Sequence, residues 1–157
     1  MKKNHYILFV IMVFVFSSVS CSSDEEQKPW SGYEVKEMRG GTRMYPLNII
    51  LNAKAGEIHW FYIQAEKNKF YEIGMYGSGI LQNWMENDKN RAPNHGVAVM
   101  SGYKEDGTLF ARMDPNKEGN YLNTPINYYS PVNQKLYICF EITFAGYLLF
   151  YKNTTSP

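Results

Sequence analysis

The chain has 157 residues, 16 basic and 15 acidic side chains and a formal net charge of +1. That length suits one domain of ordinary size and excludes two large ones. The even charge balance offers no basic stripe for nucleic acid, so no nucleic-acid partner is expected. Beyond Cys21 the only cysteine is Cys139, which rules out an intramolecular disulfide in the folded part and leaves packing to hold it together.

Lys2 and Lys3 lead into an apolar run from Tyr6 to Phe16, followed by Ser17-Ser18-Val19-Ser20 and Cys21. A basic start, a short greasy middle and small residues make residues 1–20 a signal peptide. The run is about 11 residues, against the roughly 20 that a spanning helix needs. Ser18-Val19-Ser20-Cys21 resembles the lipobox of bacterial lipoproteins. The resemblance implies cleavage before Cys21, acylation of that residue with palmitate-type chains, and a membrane partner reached through the lipid. Each buried methylene would contribute about 0.8 kcal/mol to such anchoring. The alternative is an ordinary signal peptide cut nearby. Ser22 resembles an outer-membrane sorting residue, and Ser23-Asp24-Glu25-Glu26 is similar to the export tag of surface lipoproteins or else a plain solvated linker. Residues 21–32 read as a flexible acidic tether, and residues 33–157 as the folded domain.

Thirteen Tyr, 9 Phe and 3 Trp favour pleated, half-buried surfaces. Residues 30–44 read as an irregular or edge piece, punctuated by Gly40-Gly41. Leu47 to Asn52 is a short apolar run. Ile58 to Ala65 is a strand with bulky residues on both faces, Lys67-Asn68-Lys69 a turn, and Phe70 to Tyr76 a second strand, together expected as a hairpin. Ile80 to Met85 fits either a helical turn or a strand. Val97 to Tyr103, the turn Glu105-Asp106-Gly107 and Thr108 to Arg112 form the clearest hairpin signal, with Gly107 free to take a positive φ. Ile126 to Tyr129, Lys135 to Ile142 and Tyr147 to Lys152 follow, the last two separated by Gly146. No long amphipathic helix is expected. About eight short strands at regular spacing predict an all-β, antiparallel β-sandwich.

Between Leu47 and Lys152 the chain resembles the bacterial pre-peptidase C-terminal domain. The likeness rests on Gly56, His59-Trp60-Phe61-Tyr62-Ile63, Ala65 and Tyr71-Glu72-Ile73. It continues through Val97 to Met100, Glu105-Asp106-Gly107-Thr108-Leu109, Leu136-Tyr137-Ile138 and Ala145-Gly146-Tyr147-Leu148-Leu149. The resemblance implies a jelly-roll-like sandwich with a loosely defined binding role, in a family where some members attach to secreted proteases. His59 stands where that family usually has Asp, and Asn68 where it usually has Gly, so no metal site is carried over.

Asp114-Pro115-Asn116-Lys117-Glu118-Gly119 echoes a calcium loop, but Pro125 falls where the closing Glu belongs and Lys117 brings a positive charge. His59 and His95 are too few for zinc. No metal or other cofactor is expected. Ser101, His95 and Asp106 could be assembled on paper into a triad, yet no serine lies in a Gly-x-Ser-x-Gly turn, and Glu57, Glu72 and Glu141 form no recognisable acid/base pair. An enzyme is not expected. Trp84, Tyr103, Tyr121, Tyr128 and Tyr129 fall in or beside predicted loops, where large rings with polar tips suit sugar stacking or protein capture. Tyr128 and Tyr129 are the first choice for an exposed pair. The competing reading has the loop aromatics plugging the ends of the sandwich. The function expected is non-catalytic binding of a protein or glycan ligand at the cell envelope. The alternative is an accessory subunit of an envelope or secreted-protease complex.

Overall fold

The computed structural model describes residues 27–42, 47–75, 96–115 and 125–156. The described residues form nine strands: β1 (Val35–Glu37), β2 (Asn48–Ala53), β3 (Ile58–Ala65), β4 (Lys69–Met75), β5 (Val97–Lys104), β6 (Leu109–Met113), β7 (Ile126–Ser130), β8 (Gln134–Phe144) and β9 (Gly146–Thr155). They make two sheets, ordered β1-β3-β8-β5-β6 and β2-β9-β4-β7. Strands β2 to β9 interleave between the two sheets in the order of a jelly roll, as expected. β1 adds an edge, and it pairs with β3 in parallel.

The core lies between the sheets because alternate residues of each strand point to one face. β3 contributes Phe61, Ile63 and Ala65, β8 contributes Leu136, Ile138, Phe140 and Ile142, and β9 contributes Leu148 and Phe150. Phe150 packs at 4.6 Å from Phe140 and 4.7 Å from Phe61, ring centre to ring centre, so three strands of both sheets meet in one aromatic contact. One edge is closed by Asn48, which is buried yet engaged at both ends of its amide. It accepts from the Arg39 amide at 2.8 Å and donates to the Arg39 carbonyl at 3.0 Å.

The β5–β6 hairpin forms as expected, with Gly107 at a φ of 92° in its turn. The hairpin expected of β3 and β4 does not form, for the two strands belong to opposite sheets. β3 is flanked by β1 and β8, while β4 is flanked by β9 and β7. Between them the chain crosses from one sheet to the other, and its amides are bonded to Tyr71 of β4 and to the end of β7 and the connection after it. Glu66 N donates to Tyr71 Oη at 2.8 Å, Lys67 N to Asn133 Oδ1 at 2.7 Å and Asn68 N to the Ser130 carbonyl at 2.7 Å. Asn68 takes a φ of 61°, a left-handed conformation that Asn tolerates better than most side chains. This crossing is thereby bonded to the neighbouring one between β7 and β8.

Phe140 is fully enclosed and touches both of its aromatic partners. Phe140→Ala should cost about 3–5 kcal/mol by leaving a cavity that rigid sheets cannot close. Urea unfolding of wild type and variant measures that loss.

Candidate functional site

The outward face of the five-stranded sheet carries a group of aromatic residues. The same alternation that sends Phe61, Ile138 and Met100 inward turns Trp60, Tyr62, Tyr137 and Tyr103 outward. Pairing aligns them in two rows across the sheet. Trp60, Cys139, Ser101 and Arg112 form one row, and Tyr62, Tyr137, Tyr103 and Leu109 the next.

The segment before β1 folds back over this face. Trp30 lies flat on Tyr137, with ring centres 3.7 Å apart and planes 5° from parallel. It meets Trp60 at 6.0 Å and Tyr103 at 6.5 Å, both edge to face. Tyr33 flanks Trp60 at 6.1 Å, and Trp60 in turn lies 5.4 Å from Tyr103. Lys28 Nζ donates to the Asp106 carbonyl at 2.5 Å, so the segment runs along the tip of the β5–β6 hairpin. Of the expected tether, Cys21–Glu26 lie outside the described residues, and Gln27–Gly32 include Trp30, seated on the sheet.

Trp60 is only 4% exposed, and its Nε1 has no hydrogen-bond partner among the described residues. Burial raises the Tyr103 and Tyr137 hydroxyls above the usual tyrosine range, with the nearby Cys139 adding to the effect at Tyr103. Both therefore stay protonated at neutral pH and can donate. The rim is polar. Lys135 Nζ sits 5.2 Å above the Tyr62 ring, and Tyr62 Oη donates to Glu37 at 3.4 Å. Arg112 Nη1 donates to Glu141 at 2.9 Å and to the buried Ser101 hydroxyl at 3.0 Å. The Glu141 bond, first of all, holds the guanidinium above its ordinary range. An apolar centre with hydrogen-bonding edges suits a ring that is apolar on its face and polar on its rim.

Of the residues singled out from the sequence, Tyr103 belongs to this cluster. Tyr128 and Tyr129 do not, and they are not an exposed pair, because adjacent strand residues face opposite ways. Tyr128 turns inward against Phe110 at 4.5 Å and accepts from Gln134 Nε2 at 2.9 Å, on the side of the sandwich where the edge strands β6 and β7 meet. Tyr129 faces solvent and donates to Asn68 Oδ1 at 3.0 Å. Cys21, Trp84 and Tyr121 lie outside the described residues, as do His95 and most of the calcium-like loop after Pro115. His59 is engaged by Glu57 at 3.2 Å; the Lys54 amide, then His59, lowers the Glu57 carboxyl. Among the described residues no group of three potential metal ligands comes together, and no helix is long and apolar enough to cross a membrane.

The sequence reading missed Trp30, Trp60 and Tyr137 as one group. Its signal was present in β3, where bulky residues on both faces require a cover for the second face. Comparison of the chain with models of known families and with curated proteins finds no match.

Cys139 lies beneath this cluster, buried, and burial lifts its thiol from the usual 9.0 to about 12. The thiol form dominates at neutral pH, so this sulfur is a poor nucleophile. Since the folded chain holds the proton more tightly than the unfolded one, the stabilisation is complete below pH 9 and drains away as pH rises toward 12. Urea midpoints measured over that window should fall less steeply for Cys139→Ala than for wild type. In a Cys21→Ala background, a thiol reagent at pH 8 should find Cys139 only after unfolding.

Proposed function

We propose that this is a lipid-anchored protein of the outer membrane, facing outward, with a non-catalytic binding role for a polysaccharide or protein ligand. The observation that carries the binding role is the aromatic face of Trp60, Tyr103 and Tyr137 on the outward side of the sheet, over which Trp30 is folded. Clusters of rings outside the core, with polar groups at their rim, are typical of recognition surfaces. The sandwich supplies a rigid base under these rings. The anchor rests on the sequence around Cys21. The chain's likeness to the pre-peptidase C-terminal family agrees with a sandwich that binds rather than reacts.

A second reading, an accessory subunit docked on another envelope protein, draws support from β2 and the residue before it. Leu47, Ile49 and Leu51 are 57%, 52% and 61% exposed, forming an apolar stripe on the opposite sheet.

Two measurements test these readings. Palmitate labelling of cells expressing the full chain should mark the wild type and not Cys21→Ala, and the variant should leave the membrane fraction. Unlabelled wild type would overturn the anchor. Tyr137→Ala should weaken retention on immobilised envelope polysaccharide by at least about tenfold, a loss of some 1.4 kcal/mol. The apolar stripe lies on the other sheet from Tyr137. Ile49→Asp and Leu51→Asp should therefore leave polysaccharide retention intact and, under the accessory reading alone, abolish co-purification with a single envelope complex.

A further inference from the structure

Trp30 fits its seat in shape but not in chemistry. Its ring lies parallel on Tyr137, and its edges are met by Trp60 and Tyr103. The buried Trp60 Nε1, in the same cluster, lacks an acceptor among the described residues. Trp30 cannot provide one, because an indole carries a donor and no acceptor. A buried donor without a partner disfavours the arrangement that buries it. Beyond the ring contacts of Trp30 and Tyr33, the polar hold on this segment is light. Its turns are closed internally, by Ser31 N to the Lys28 carbonyl at 2.9 Å and Tyr33 N to the Trp30 carbonyl at 3.1 Å. The bond from Lys28 to Asp106 is exposed to solvent. From Val35 onward the ladder to β3 fixes the chain.

We propose that residues 27–34 form a displaceable strap, and that the surface under it is a saccharide site where a pyranose ring replaces Trp30. This rests on the binding reading above and names its ligand class. The CH face of a pyranose would stack on Tyr137, as Trp30 does. A hydroxyl or the ring oxygen would accept from Trp60 Nε1, and the Tyr103 hydroxyl would donate at the edge. A phenylalanine or tryptophan offered by a partner protein would fill the same space and leave the Trp60 donor unmet, so the chemistry favours a sugar. The strap acts as an internal competitor. Apparent affinity falls in proportion to the open fraction, so a strap open about 1% of the time would weaken binding by about 100-fold.

The test uses the full chain in detergent, titrated with the hexasaccharides of β-1,4-linked glucose, xylose, mannose and N-acetylglucosamine. Trp30→Ala should bind at least one of them about tenfold or more tighter than wild type. Adding Tyr137→Ala should abolish that binding, and adding Trp60→Phe, which removes the donor and keeps a ring, should weaken it severalfold. A measurement on the wild type needs no variant to fold. At saturating hexasaccharide, the nuclear Overhauser contacts between the Trp30 and Tyr137 rings should be lost. If Trp30→Ala binds no tighter and those ring contacts persist while sugar binds, the strap inference is overturned and the polysaccharide reading stands. If none of the four sugars binds wild type or Trp30→Ala, the saccharide assignment itself is overturned.

Discussion

The two-residue period of β8 is the constraint on which both the core and the aromatic face depend. This strand lies in the middle of the five-stranded sheet, between β3 and β5. Leu136, Ile138, Phe140 and Ile142 face the opposing sheet, while Tyr137, Cys139 and Glu141 face away from it. A register slip of one residue would exchange these sets, placing Glu141 in the core and Phe140 in solvent. Burial of Phe140 against Phe150 therefore fixes the position of Tyr137 on the other side. The platform is held in place by the packing that stabilises the sandwich.

The outward face is more than a by-product of that alternation. Most sheet faces without a covering layer carry polar side chains. Here Trp60 is as buried as a core residue, although it lies on the far side of the sheet from the core. Its cover is local in sequence to neither β3 nor β8. It comes from Trp30 and Tyr33, ahead of β1, and the parallel pairing of β1 with β3 brings that segment alongside. A single tryptophan thus joins the segment ahead of β1 to three strands of one sheet.

The polar groups around the platform are largely engaged with each other. Glu141 and Ser101 are both bonded to Arg112, and Glu37 to Tyr62. The exposed pairs among them, Arg112 with Glu141 and Tyr62 with Glu37, add little to stability. They set the chemistry of the rim, which presents charge and hydroxyls around an apolar centre. The Cys139 sulfur below is held in its protonated form by burial and behaves as packing.

Sequence alone determined the strand segments and the sandwich class, because alternating apolar residues and turn chemistry act over a few neighbours. Ile58–Ala65 was legible to the residue, and Glu105-Asp106-Gly107 announced the hairpin of β5 and β6. The partner of each strand was not legible. Lys67-Asn68 is as short as a hairpin turn, yet β4 joins the other sheet, because its pairing with β7 and β9 is decided by core contacts far away in sequence. The placement of the aromatic residues was hidden for the same reason. Tyr128 and Tyr129 looked alike as neighbours, and only the sheet decided that one turns inward while the other meets water. Trp30 looked like part of a linker until tertiary structure laid it on Tyr137, a ring more than a hundred residues away.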